Sequence, residues 1–508
     1  MAEMWIQGFL VALQGSNLLY LLIGTIFGLI IGALPGLGPM FAVSLALPLT
    51  YGMPAASAII LLAAIHASTS YGDSFASILI NTPGGPTSVA SCWDGFPLAQ
   101  KGKAGFAMGI STGGALTGGI IGWLSLVLIA PFLSDLSMSM GPAEYFMVGV
   151  LALSLLSMAS QGETIKGMIL GAFGLLISFI GRDPITATKR FTLGTVYLED
   201  GLPVAVVFVG LFALSQIIIL AEEGGSVAEI REPKGGVLDG IFNVIRHPLT
   251  ILRSGLIGIF MGIMPALGPS TANVISYLLE KKSSKHPETF GQGEPAGLLA
   301  PEVAKSSCII GDLIPTFTLG VPGSGVTALF LAALILHGIQ PGPDFFSKGV
   351  LPYAVFAGIL LAQFTFFLMG IGFAGKIAKV VLVPNVFLVP AVVVLCFFGA
   401  FAVRNFLADV IITLVFGVVG FILYKSKWPL PCLVLGFVLG DILESNFHRT
   451  LIIGHGSLAP FFTRPVPLLL LLSCVIFLCW PYITAFSARR RNENYHAMAS
   501  SIEDDVER

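Results

Sequence analysis

Two carboxylates stand at matched places in this chain, each ahead of a run that cannot stay helical. Asp73 precedes Pro83 by ten residues in GDSFASILINTPG (72–84), and Asp312 precedes Pro322 by the same ten in GDLIPTFTLGVPG (311–323). An acid inside an apolar segment costs about 3 kcal/mol or more to bury, so it is a functional candidate by default. Asp73 and Asp312 are therefore candidates for ion coupling. The competing reading places them at helix ends facing water.

Small polar residues cluster just beyond. Asn81, Thr82, Pro83, Gly84, Gly85, Thr87 and Ser88 follow the first acid; Pro322, Gly323, Ser324, Gly325 and Thr327 follow the second. A helix restarting after such a break presents unpaired amides and the positive end of its dipole. With hydroxyl and amide donors beside them, those amides can hold a carboxylate without a fixed cation. These residues, with Ser88 as a neighbouring donor rather than a member, are the candidate substrate-binding set.

A second pair of breaks precedes the acids. Residues 28–39 read GLIIGALPGLGP and residues 258–269 read GIFMGIMPALGP, 230 positions later. Proline removes an amide donor, and glycine removes bulk, so neither run passes intact through lipid. The freed carbonyls can coordinate sodium. This makes Pro35, Gly36 and Gly38, with Pro265, Ala266, Gly268, Ser270 and Thr271, ion-coupling candidates, and Asn273 adds an amide nearby. The plainer alternative is that such kinks only let helices pack closely.

The elements that must position these groups are membrane helices. The 508 residues are 55% hydrophobic and 11% charged, and residues 104–134 contain no Asp, Glu, Lys or Arg. A span needs roughly 20 apolar residues. The expected fold is an all-α polytopic membrane protein of about 11–12 transmembrane helices plus re-entrant or broken helices. The net charge of −2 and the lack of a basic patch argue against nucleic acid, and six scattered cysteines without a CxxC spacing indicate neither disulfides nor zinc. No HExxH motif occurs, and no catalytic residue or resident metal is expected.

The halves are read as a duplication. Pro142 matches Pro384, and Phe173-Gly174 matches Phe416-Gly417. The offset grows from 230 to 239 between the two break motifs, which a polar insertion at Lys281–Phe290 explains. The expected organisation is an interfacial helix at 1–16 rather than a cleaved signal, repeat 1 at 17–221, a polar linker at 222–253, repeat 2 at 254–450, a final span at 451–486 and a tail at 487–508. Inverted repeats are the commoner arrangement where broken helices line a midplane site. Arg489–Arg491 after the last apolar run puts the C-terminus in the cytoplasm. Of the other ionisable residues, His66 reads as a packing histidine or a proton relay, Glu302 and Lys305 pair one turn apart, and Glu144 and Glu444 end spans.

The run GLIIGALPGLGP, then NTPGGPTSVASCWDGFPLAQKGKAG (81–105), GPAEYF (141–146), AAL…HGIQPGP (332–343) and LGFVLGDILE…R (435–449) resembles the large membrane subunit of tripartite tricarboxylate transporters. The resemblance spans about residues 20–465. It implies a permease of the bacterial inner membrane working with a small four-helix membrane subunit and a periplasmic substrate-binding protein. It also implies uptake of citrate or another organic carboxylate, driven by a sodium or, alternatively, a proton gradient. Three features depart from the family pattern: Ala266 replaces a glycine, Ala300–Cys308 replaces a run of small and amide residues, and Asp312 stands where small residues are common. They bear on the substrate and the coupling ion.

Other readings fit less well. An intramembrane aspartyl protease would carry GxGD, but Ser70 and Ile309 stand two before Gly72 and Gly311. A passive channel wants a polar pore or charged rings, and the sequence has neither. A carboxylate permease acting alone stays open at this point.

Overall fold

The computed structural model describes residues 2–159, 164–223, 236–264, 267–378 and 385–478. The first half contains α1 (Ala2–Ala12), α2 (Gly15–Ala33), α3 (Pro39–Ala46), α4 (Ala55–Ile80), α5 (Val89–Gln100), α6 (Ala104–Met138), α7 (Pro142–Ala159), α8 (Thr164–Ser178), α9 (Val204–Phe208) and α10 (Ser215–Glu223). A π-helical segment, Val209–Leu214, joins α9 to α10. The second half contains α11 (Val237–Ile245), α12 (Pro248–Ile263), α13 (Gly268–Ser283), α14 (Pro295–Gly311), α15 (Leu313–Leu319), α16 (Gly325–Leu336), α17 (Pro343–Ser347), α18 (Leu351–Ala378), α19 (Asn385–Arg404), α20 (Leu407–Lys425), α21 (Leu430–Ile453) and α22 (Ala459–Thr463). A last apolar helix, α23, covers Pro465–Leu478. Among the described residues the sheet content is one two-residue hairpin, Gly181–Arg182 against Lys189–Arg190.

The protein is an all-α polytopic membrane protein. Eight helices among the described residues are long and apolar enough to cross a membrane, or nine if α11 and α12, bent by 84°, form one broken span. The end of the stretch read as linker is thus helical. The rest of that linker (224–235) and Arg489–Arg491 lie outside the described residues.

Glycine ridges bring the broken helices against the acid-bearing ones. On α2, a Cβ at Gly28 would strike Ser68 Oγ of α4, and one at Gly258 of α12 would strike Ser307 Oγ of α14. Close backbone approach of this kind requires small residues at the contact. Ser68 and Ser307 are 239 apart, the same step as Asp73 and Asp312. Duplicated sequence has become duplicated packing.

The halves exchange contacts. α1 packs on α18 while α11 packs on α6; α8 packs on α21 while α20 packs on the α9–α10 span; α3 packs on α16 while α13 packs on α5. Each of these three contacts has its counterpart in the other half.

One difference is built into the acid helix. α4 runs unbroken through Asp73, but its counterpart divides at Asp312, between α14 and α15. Pro315 explains this: it has no amide to give the Gly311 carbonyl, and its ring crowds that group.

Candidate functional site

In the first half, α4 ends at Asn81 in the left-handed conformation (φ 56°), and the chain turns back over Asp73. The Asp73 side chain is fully buried. Thr87 Oγ1 donates to one carboxylate oxygen, and Ser88 Oγ lies 3.1 Å from the other. Gly84 is packed so tightly that a Cβ there would strike Asp73 Oδ1. The restart after the break is thus held by the protein's own carboxylate. Asn81 and Thr82 are exposed and serve the end of α4, the Thr82 amide reaching Ala76 O at 3.4 Å.

The second half copies the backbone and changes the partners. Gly320 (φ 68°) takes the place of Asn81, and a Cβ at Gly323 would come within 2.6 Å of Asp312 Cβ. By the 239-residue step, Val326 replaces Thr87 and Thr327 replaces Ser88. Thr327 Oγ1 accepts the Ser324 amide at 2.9 Å, and Ser324 Oγ accepts the Thr327 amide at 3.3 Å. That capping box satisfies the start of α16 internally, so the Ser324 and Thr327 amides are not free as the sequence suggested. Asp312 is fully buried, and neither of its carboxylate oxygens has a hydrogen-bond partner among the described residues.

The breaks meet. A Cβ at Gly85 would lie 3.4 Å from Gly38 Cα, and one at Gly268 would lie 4.0 Å from Ser324 Cβ, so both breaks of each half touch. The halves then interlock, because Gly325 abuts Met40 at the start of α3, and Asn273 Oδ1 of α13 accepts the Ala90 amide of α5 at 2.8 Å. Gly36 (φ 80°) and Gly268 (φ 61°) are in the left-handed region that glycine tolerates. Pro35 and Gly38 are half-buried beside Gly36, and Ser270 and Thr271 are half-buried at the start of α13. Pro265 and Ala266 lie outside the described residues.

Behind the first acid sits a buried charge network. Glu302 and Lys305, both fully buried, pair at 3.1 Å. Glu302 also accepts from Ser74 at 2.8 Å, Ser91 at 2.5 Å and Ser111 at 2.9 Å, while Lys305 Nζ donates to Ser74 at 2.6 Å. Four helices, α4, α5, α6 and α14, therefore share one ion pair. Lys305 is also the positive charge acting on Asp73.

Residues 18–435 match the model of the tripartite tricarboxylate transporter TctA family. The chain belongs to that family. It is 33% identical over 482 residues to a 52.8 kDa protein of the TAR-I ttuC' 3' region of Agrobacterium vitis, covering 94% of this chain and 96% of that one. A second Agrobacterium vitis protein, of the TAR-II ttuC' 3' region, is 34% identical over 230 residues, which is 44% of this chain and 95% of the relative. No solved structure matches. This TctA-family chain is thus a membrane component of a tripartite transporter, a system with further subunits and a substrate-binding protein.

Several sequence readings change in this TctA-family structure. The acids do not face water at helix ends: both are buried, although Asp312 does mark a helix junction. The His66 ring packs on Phe330 with centroids 5.8 Å apart. Glu144 caps the start of α7 through the Gly141 amide, as a span-end residue does. Glu444 is buried within α21, where it binds Arg190 of the hairpin. Gly109–Gly113 spells GxSxG, but the run lies inside α6 and Ser111 serves Glu302, so there is no nucleophile elbow.

Sequence reasoning missed Asp94. Its Oδ1 accepts the Gly291, Gly293 and Glu294 amides at 2.9, 2.7 and 2.8 Å, pinning the loop after the second-half insertion to α5. The signal was available: an acid in an apolar helix of one repeat, and an insertion in the other with no evident anchor.

Proposed function

We propose that this chain is the permease subunit of a binding-protein-dependent secondary transporter that imports organic di- or tricarboxylates by ion-coupled alternating access. It works in the bacterial inner membrane with a small four-helix subunit and a periplasmic binding protein, and its C-terminus is cytoplasmic. The observation that carries this reading is the meeting of four helix breaks with a buried carboxylate behind each half.

Sodium is the proposed ion at Asp73. The carboxylate with the Thr87 and Ser88 hydroxyls supplies hard oxygens, which suit such a cation, and carbonyls freed in the Pro35–Leu37 break would complete the set. The substrate carboxylates lie against the backbone at Pro83–Gly85 and Pro322–Gly323, since the Ser324 amide is already bonded to Thr327. An ionised Asp73 repels an anion arriving at Gly84, and a bound cation removes that repulsion. Ion binding before substrate binding follows from that charge order. The proton, the other coupling reading, is favoured at the second acid by the missing partners of Asp312.

The test is uptake of a panel of labelled carboxylates by cells producing the chain with both partners, with sodium and pH varied independently. The expected result is uptake of at least one carboxylate that needs all three components and rises with the ion gradient. Uptake undiminished without the binding protein would make the chain a permease acting alone. Uptake indifferent to sodium and pH would remove ion coupling.

A further inference from the structure

We propose that the Asp312 carboxyl carries a proton: it is protonated in the conformation seen here and releases the proton to water when the 320–324 break opens. The proposal rests on the ion-coupled reading above and assigns the second half a different ion from the first. In the step itself the O–H bond breaks, the proton passes to water and the electron pair stays on the carboxylate.

Burial and partnering carry the argument. Asp312 is fully buried, and among the described residues neither oxygen has a partner in hydrogen-bonding geometry, with only the Ser324 hydroxyl facing it, whereas Asp73 receives two hydrogen bonds. A buried carboxylate without donors or a paired cation costs several kcal/mol to keep ionised, and a proton removes that cost. The donor is missing because Val326 stands where the first half has Thr87, and Thr327 is turned to the Ser324 amide. Ser324 is the hydroxyl facing the carboxyl, and it belongs to the capping box. One hydroxyl makes a poor sodium shell.

Among the described residues, no cation compensates the group from the elements packed around it. Lys305, on α14, is held by Glu302 and Ser74. On α12, Arg253 is paired with Glu280 of α13, while Lys281 and Lys282 lie in the last turn of α13, far along from Gly268. α6 is uncharged until Asp135, and α16 has no titratable residue. Asp344 of α17 pairs with Lys348, and α4 offers His66, packed on Phe330, and Asp73, bound by its own donors. Cys308, one turn earlier, is the titratable neighbour, and it supplies no positive charge.

Infrared difference spectroscopy on the full-length chain in lipid tests this without any substrate. At neutral pH in sodium-free buffer, the wild type should show a protonated-carboxyl C=O band that Asp312→Asn loses and Asp73→Asn keeps. Sodium chloride should leave the band as choline chloride does. Val326→Thr supplies the donor that Thr87 gives Asp73, and should weaken the band at the same pH; it carries the measurement if Asp312→Asn does not fold. Absence of an Asp312 band at neutral pH would overturn the proposal, as would a band removed by sodium but not choline, which would make Asp312 a sodium ligand. Failure of ion-dependent uptake in the transport assay would instead defeat the functional reading and leave the band in place.

Discussion

Lys305 Nζ lies 2.6 Å from Ser74 Oγ, so the cation of the second half is bonded to the residue next to Asp73 in the first. The same cation neutralises Glu302, which three serines from three helices also hold. A buried pair of this kind gives little net stability, but losing one partner leaves the other charge uncompensated.

Lys305→Met should therefore destabilise the protein by about 3–5 kcal/mol. The double variant Glu302→Gln/Lys305→Met should recover much of that loss. Thermal unfolding of the detergent-purified chain checks both. Equal destabilisation by the single and double variants would show that the serines, rather than charge balance, hold the centre.

Thr87→Val gives the first half the residue that the second half has at Val326. A hydrogen bond to a charged group is worth about 1.5–3 kcal/mol. Its loss should raise the sodium concentration for half-maximal uptake about tenfold or more, since about 1.4 kcal/mol is a factor of ten. Sodium titration of uptake measures this, and an unchanged midpoint would remove Thr87 from the ion site.

The hairpin outside the helices should fail in acid. The Thr186 and Ile185 amides, at 2.7 and 2.9 Å, with Arg190 beside them, hold the Asp183 carboxyl below its usual range. Lys189 and Arg182 do the same for Glu199. A depressed folded value means that both groups stabilise the hairpin above their ordinary values of about 4. That contribution is lost as pH falls through the lower folded values. Hydrogen-exchange protection across 181–200, taken relative to the intrinsic amide rate at each pH, should fall below about pH 4 and be flat from pH 5 to 8. Loss of protection between pH 5 and 8 would assign the stability to other groups.

Much of this architecture was legible in the residues. Paired Pro-Gly runs mark breaks because proline cannot donate an amide, and a constant step from Asp73 to Pro83 and from Asp312 to Pro322 betrays the duplication. The exchange of contacts between halves was not legible, since sequence periodicity reports a helix's own faces and not the helix that will cover them. Glu302 and Lys305 could be paired from their spacing, but Ser74, Ser91 and Ser111 are common residue types scattered over three helices. The different fates of the two acids turn on Val326 and Pro315. Both are visible in an aligned repeat, and their effect becomes clear once the break is folded over the carboxyl.

The central claim is that the breaks around Asp73 and Asp312 form the transport site. A side chain at Gly84 would strike Asp73 Oδ1 and come within 2.9 Å of Gly32 O, and one at Gly323 would meet Asp312 Cβ at 2.6 Å and Gly262 O at 2.7 Å. The measurement is uptake of labelled carboxylate into proteoliposomes holding the complete transporter with Gly84→Leu or Gly323→Leu, alongside the amount of chain inserted in the membrane. The account predicts normal insertion with uptake abolished in both variants. Wild-type uptake by both variants would contradict it.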